Sequence, residues 1–354
     1  MKQFKANSLP LLIGSLPMDN HKEATDLVFE HTPEIPLWVQ LPMYRQEGMI
    51  DQFLPGLPGL ARQEDKLFLD TQKEEFDPEF LAFFEEYLTL SDPGADLKES
   101  RFAFDTETGK GFFEFLRQVD ERKGGYPALK GQVTGPITFA TSVKDENNRD
   151  IFYNDQLRDA ALKKLALNAR WQAREFKKRT EVPIIFMDEP ALAGFGTSAY
   201  ITITQKDVKE SLEEIAREIH AEDGLAGVHV CANTEWDMLL SANIDIISFD
   251  AFSYFDRFIL YPDRVRAFLE KGGILAWGIV PTANAEEIAA QTVEGLVKKL
   301  EGQIRQVTDL GISRDKVLEQ IFITPSCGTG SLDLESAKKV LFLTREVSKI
   351  IRSE

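Results

Sequence analysis

Hydrophobic and polar positions follow two rhythms along this chain. Short apolar runs, rich in β-branched and aromatic residues, occupy 9–15, 36–41, 128–134, 182–187, 227–231, 244–249, 273–277 and 320–324, and predict strands. Longer stretches at 157–179, 205–220, 285–310 and 334–352 repeat their apolar residues every three or four positions and predict helices. Gly311 follows the third of these as a C-cap, and Asp223-Gly224 marks a turn. Strands alternating with helices imply an α/β fold with a parallel sheet wrapped by helices, and eight strands favour closure into a single (β/α)8 TIM barrel. An open doubly wound sheet is the alternative, but no GxGxxG follows the first strand.

The stretch 42–126 breaks the rhythm. It is rich in Phe, Glu and Asp, holds amphipathic pieces at 78–87 and 111–122, and is too long for a strand-to-helix loop. We read it as an accessory excursion over the barrel mouth, within one catalytic domain spanning 1–354. A chain of 354 residues with 43% hydrophobic residues and 25 Phe has material for one large barrel core. The formal charge of −17 argues against a nucleic-acid partner, whose phosphates need a basic face. The start of the chain lacks a signal-peptide pattern and no apolar run reaches 18 residues, so the expectation is a cytoplasmic protein without a membrane span.

In a barrel of this kind, chemistry collects where the strands end. The first predicted strand ends in Ile13-Gly14-Ser15, the third leads to Thr134-Gly135-Pro136, and the fourth to Asp188-Glu189-Pro190. His229-Val230-Cys231 ends the fifth, Asp250 follows the sixth, Trp277-Gly278 ends the seventh, and Cys327-Gly328 follows the eighth. Both cysteines of the chain thus fall at one end, with a histidine and three carboxylates. His229 and Cys231, two apart on an extended segment, leave the same face. Imidazole and thiolate are preferred zinc ligands, and Cys327 is placed to supply a third. Asp250 is either a fourth ligand or a carboxylate that orients His229.

Sulfur-rich ligation points to a thiol substrate. A free thiol is only about 3% thiolate at pH 7, and coordination deprotonates it, a gain of roughly 30-fold or about 2 kcal/mol. Three histidines would instead suit activation of water.

The segment His229-Val230-Cys231, the Ile246-Ile247-Ser248-Phe249-Asp250 run and Pro325-Ser326-Cys327-Gly328 together resemble the zinc motifs of cobalamin-independent methionine synthase. Met187-Asp188-Glu189-Pro190-Ala191-Leu192 and the GQVTGPIT of 131–138 are similar to further motifs of that family, in the same order along nearly the whole chain. The resemblance implies zinc held by His229, Cys231, Asp250 and Cys327, with Ile13, Gly14 and Ser15 at the homocysteine carboxylate and Asp188 at the amino group. The wider relatives are the corrinoid:thiol methyltransferases of the uroporphyrinogen decarboxylase superfamily.

The departures matter as much. Thr141 or Ser142 stands where the family carries a folate-stacking tryptophan, and Ile279 where it carries a general-acid histidine. Pro42 stands where it carries an acid soon after the second strand. A folate must be protonated at nitrogen to leave, whereas a methylated corrinoid needs no proton. The expectation is therefore a zinc-dependent methyltransferase that methylates a small thiol, homocysteine above all, with a corrinoid protein as methyl donor. A coenzyme M type methyltransferase, a decarboxylase of the same superfamily and a non-catalytic zinc- or corrinoid-binding protein are the alternatives.

Overall fold

The computed structural model describes residues 4–92, 94–197 and 200–353. Its centre is one curled six-stranded sheet, all parallel, in the order β3-β4-β5-β6-β7-β8. The strands are β3 (Ala128–Thr134), β4 (Val182–Asp188), β5 (Leu225–Val230), β6 (Ile246–Phe249), β7 (Ile274–Val280) and β8 (Ile321–Pro325). A separate antiparallel hairpin, β1 (Leu60–Gln63) with β2 (Lys66–Leu69), lies in the 42–126 stretch.

Two of the eight predicted strands take a different form. The segments 9–15 and 36–41 are joined to their neighbours by isolated bridges, Pro10 to Ile323 of β8, Ser15 to Gln40, and Leu37 to Lys130 of β3. Their ladder is sparse in part because Pro10 and Pro36 have no N–H to donate. The backbone bonds that remain include Leu11 N to Ile323 O at 3.0 Å, Gln40 N to Gly14 O at 2.9 Å, and Lys130 N to Pro36 O at 3.0 Å. β7 also runs three residues beyond its predicted end, so Trp277-Gly278 lies inside the strand.

Alternate residues of each strand face opposite sides. One side, carrying Leu129, Val133, Ile185, Met187, Val228, Ile247, Phe249 and Leu275, belongs to the large core shared with the helices. The other side is a smaller cluster of Ala128, Ile184, Phe186, Ile246, Ile274, Ala276 and Phe322, with Leu9 and Leu11 from the first bridged segment and Ile35 just before the second. Packing there is matched by size across the sheet: Phe186 sits in register with Gly227, and a Cβ on Gly227 would lie 2.3 Å from the Phe186 ring.

The helices follow local signals. Thr204 and Asp207 form a capping box at the start of Gln205–His220, and Asn154 caps Asp155–Lys177. The predicted helix over 285–310 is two helices, Ala285–Ala289 and Val293–Thr308, because extended Thr292 turns its side chain to cap Gly295 N. The helix His21–His31, which periodicity did not reveal, starts on Asn20. In the 42–126 stretch, Phe83, Phe102, Phe104 and Phe112 are buried rather than displayed. Phe104 packs edge-on to Trp38, and Phe112 lies 4.7 Å from the Trp171 ring. No helix among the described residues is long and apolar enough to cross a membrane.

Filling the space beside Phe186 should be costly. Gly227→Ala is expected to destabilise by about 1–3 kcal/mol, as overpacking does, and Phe186→Leu in the same chain should recover part of the loss. Urea midpoints of the three proteins check this, and an unshifted midpoint for Gly227→Ala would refute the size-matching argument.

Candidate active site

The inner face of the sheet changes character along its length. Below, at the amino-terminal side, it is apolar; toward the carboxyl ends the same alternating positions become Lys130, Gln132 and Thr134 on β3, Asp188 on β4, His229 on β5 and Ser248 on β6. Thr134, Asp188, His229 and Ser248 stand in one register row across four adjacent strands. All of these side chains are buried.

Above this row lies a cavity of about 350 Å³. Ile13, Gly14, Ser15, Asp188, His229, Cys231 and Cys327 line it, so the structure brings together seven of the eight candidate site residues. Gln40, Pro42, Met49 and Pro190 complete much of the wall. From the 42–126 stretch, therefore, Pro42 and Met49 reach the cavity, and the Thr134 hydroxyl donates to the Met49 carbonyl.

Asp250 is the residue set apart. It caps the helix Ala251–Phe258 by accepting from Ser253 N at 2.8 Å, and it is not among the residues lining the cavity. The partner of His229 is instead Ser248, whose hydroxyl lies 2.9 Å from Nδ1. That leaves Nε2 buried with no hydrogen-bond partner among the described residues. Burial, reinforced by the charge of Lys130, pushes the His229 pKa down to about 3, so the ring is neutral at physiological pH. A neutral imidazole anchored at one nitrogen and unpartnered at the other is the form that ligates a metal.

The neighbouring Cys327 thiol pushes the Cys231 pKa down to about 7, while Cys231 and burial push that of Cys327 up. Among the described residues no three His, Cys, Asp or Glu side chains converge closely enough to cage an ion. The donor set itself, two thiols and an orphaned imidazole nitrogen on one cavity, fits zinc in chemistry.

Beside Cys327, Ser15 Oγ accepts from Gly330 N at 3.1 Å, leaving its own proton to donate. A side chain on Gly328 would collide with that hydroxyl, its Cβ falling 2.4 Å away. Asp188 Oδ1 is buried without a hydrogen-bond partner among the described residues. Burial raises the Asp188 pKa to about 6, against the pull of Lys130, and lowers the Lys130 pKa to about 8, against the pull of Asp188. Lys130 was missed by sequence reasoning, as were Gln40 and Ser248. A signal existed for Lys130: polar residues at every second position, 130, 132 and 134, of an otherwise apolar strand.

Glu189, the neighbour of Asp188, faces the other way. It accepts from Ile137 N, Thr138 N and the Thr138 hydroxyl at 2.8, 2.9 and 2.6 Å, tying the end of β4 to the turn after β3. Gly135 is required there, since a Cβ would come within 2.2 Å of the Glu189 side chain. The two sequence motifs, TGP and Asp-Glu-Pro, are thus halves of one contact. Burial raises the Glu189 pKa to about 7 while the three donors oppose the shift.

No family model matches the sequence. The chain is 27% identical to a methionine synthase of Methanocaldococcus jannaschii over 243 residues, 67% of this chain and 70% of that protein. Its fold is shared with a methyltransferase from Methanosarcina mazei, at a TM-score of 0.50 and 12% identity, covering 95% and 93% of the two chains. A B12-independent methionine synthase from Shewanella sp. W3-18-1, in complex with selenomethionine, superposes with a TM-score of 0.46 at 17% identity over 68% of this chain and 67% of that one. The resemblance to methionine synthase read from the motifs stands.

If Glu189 is a structural tie, Glu189→Gln removes one acceptor oxygen and sets an amide N–H against backbone N–H groups. The expected loss is about 1–3 kcal/mol of stability, read from urea denaturation, while the affinity for a thiol ligand changes little. Unchanged stability with lost ligand binding would instead move Glu189 into the site.

Proposed function

We propose that this protein is a zinc-dependent methyltransferase of one catalytic domain that methylates an amino thiol, homocysteine above all, with a methylated corrinoid protein as donor. Its sheet, with the bridged segments 9–15 and 36–41 taken as the first two staves, is read as a complete (β/α)8 barrel. The single observation that carries the proposal is the cavity at the strand ends, which has two thiols and an unpartnered imidazole nitrogen along with an unpartnered carboxylate and a serine hydroxyl. The methionine synthase relative points to the same chemistry.

Zinc would be held by Nε2 of His229 and the sulfurs of Cys231 and Cys327, and bound there it would supply the positive charge that keeps a substrate thiol deprotonated near neutral pH. Ser248 holds the imidazole through Nδ1, leaving Nε2 as the atom that would ligate zinc. Ser15 donates to the substrate carboxylate, and Asp188 accepts from the ammonium; together they set the direction in which the sulfur points. Ile13, Pro42, Met49 and Pro190 keep the site poor in water, which strengthens each of these contacts. Asp250, committed to its helix, is assigned no place in the resting ligand set.

The donor follows from what the cavity lacks. None of its lining residues among those described is aromatic, and His229 is its one histidine. Thr141 is buried with its hydroxyl bonded to Ile137 O, Ser142 is exposed outside the cavity, and Ile279 is packed into the core between sheet and helices. Phe83, Phe102, Phe104 and Phe112 of the 42–126 stretch are packed into the large core and do not line the cavity. Among the described lining residues there is no aromatic ring of Phe, Tyr or Trp to stack on a pterin and no second imidazole to protonate its leaving nitrogen. Pro42, lining the cavity where the resemblance has an acid, favours a second reading, a coenzyme M type thiol without an amino group.

The purified protein should contain about one zinc per chain, and Cys231→Ser should lose it; equal zinc in both would remove Cys231 from the site. In single-turnover assays homocysteine should be methylated from a methylated corrinoid and not from methyl-folate. Absence of the aromatic platform and of the acid removes about 1–3 kcal/mol of stacking and roughly 10²–10⁴-fold of acid catalysis. Comparable rates from the two donors would overturn the corrinoid assignment.

A further inference from the structure

We propose that Gln40 is a specificity-determining residue, its side-chain carbonyl acting with Asp188 as a second acceptor for the ammonium of an amino thiol. The inference rests on the amino-thiol reading above. It starts from a residue outside the cavity wall. Gln52 is 2% exposed, and its Nε2 donates to the backbone carbonyl of Thr108 at 2.6 Å. A carbonyl can only accept, so the orientation of the Gln52 amide is fixed. Its Oε1 therefore faces Gln40 and accepts from Gln40 Nε2 at 2.6 Å.

This chain orients the Gln40 amide from behind. With Nε2 committed, Oε1 is the free end, and no described residue donates to it. The backbone of Gln40 is fixed as well: its N donates to Gly14 O at 2.9 Å and its O accepts from Leu16 N at 3.1 Å, setting it beside Ser15. Gln40 retains 8% exposure and lines the same cavity as Ser15 and Asp188. Gln40 lines the cavity, and its Oε1, without a donor among the described residues, is open to one from a ligand.

An ammonium brings three donors, and Asp188 Oδ1 is another acceptor of the cavity lining without a hydrogen-bond partner among the described residues. A neutral acceptor suits the local charge. Lys130 and Asp188 already balance within the wall, and the ligand is a zwitterion whose carboxylate goes to Ser15; a second carboxylate at position 42 would leave an unpaired buried charge. The ammonium is then bound by one carboxylate and one oriented amide, with apolar Pro42 lining the same cavity.

The test compares equilibrium affinities for homocysteine and for 4-mercaptobutanoate, the same thiol without the amino group, by calorimetry. The proteins are wild type, Gln40→Met, Gln52→Met and Asp188→Asn, each as purified. Wild type should prefer homocysteine. Gln40→Met should cut that preference by about tenfold or more, as expected for a lost bond to a charged group. Gln52→Met, which touches no ligand, should cut it less by freeing the Gln40 amide to turn. The ratio of two ligands on one protein is insensitive to any shared loss of folded material. If Gln40→Met keeps the wild-type ratio while Asp188→Asn collapses it, the role of Gln40 is refuted and the amino-thiol reading survives. If wild type itself shows no preference, the amino-thiol reading fails and the role of Gln40 with it.

Discussion

A single geometric constraint underlies the site: in a curled parallel sheet, every second side chain must turn inward, where there is no water and little space. Six strands obey it, and the inward row is built accordingly, apolar and size-matched below, polar and bonded above. Because Thr134, Asp188, His229 and Ser248 share one register row, the site is set by backbone pairing rather than by loop conformation. A one-residue slip in any of these strands would turn its polar group into the outer core.

The same enclosure determines the electrostatics. Lys130 is fully buried, and its nearest compensations are the Asp188 charge, the carbonyl of Ile13, the amide oxygen of Gln132 and the face of Phe186, whose ring centre is 4.4 Å away. By holding the Ile13 carbonyl, Lys130 joins the glycine turn at Gly14 to the carboxylate on β4. Removing it would leave Asp188 as an uncompensated buried charge, a cost well above that of an ordinary surface pair. Burial and the Lys130 charge shift His229 in the same direction, downward, and from its lower starting value it stays neutral.

Several residues that look alike in sequence do different work. Asp188 and Glu189 are adjacent carboxylates, yet one presents an unpartnered oxygen in the cavity and the other fastens two connections together. Ser248 and Asp250 both follow Ile247, yet the serine anchors His229 and the aspartate caps a helix. Strand alternation separates the first pair. In the second, Asp250 lies just past the last strand residue, where the first turn of the next helix offers unpaired N–H groups to the nearest carboxylate.

Much of this protein is set by local rules that the sequence states openly. Alternation and helical spacing located the six strands of the parallel sheet, though not the β1–β2 hairpin, and the helices 155–177, 205–220 and 334–351, because burying one face of a strand or helix imposes a period. The strand-end rule then collected Ile13, Gly14, Ser15, Asp188, His229, Cys231 and Cys327 on one cavity. What the sequence could not decide depends on contacts between distant segments. Gln40 and Gln52 look like ordinary polar residues until Thr108, more than fifty positions on, fixes their amides. The segments 9–15 and 36–41 read as strands, but their prolines and their neighbours leave them only bridged. The choice between Ser248 and Asp250 as the partner of His229 depends on register across β5 and β6, and pairing between strands is a property of the assembled sheet alone.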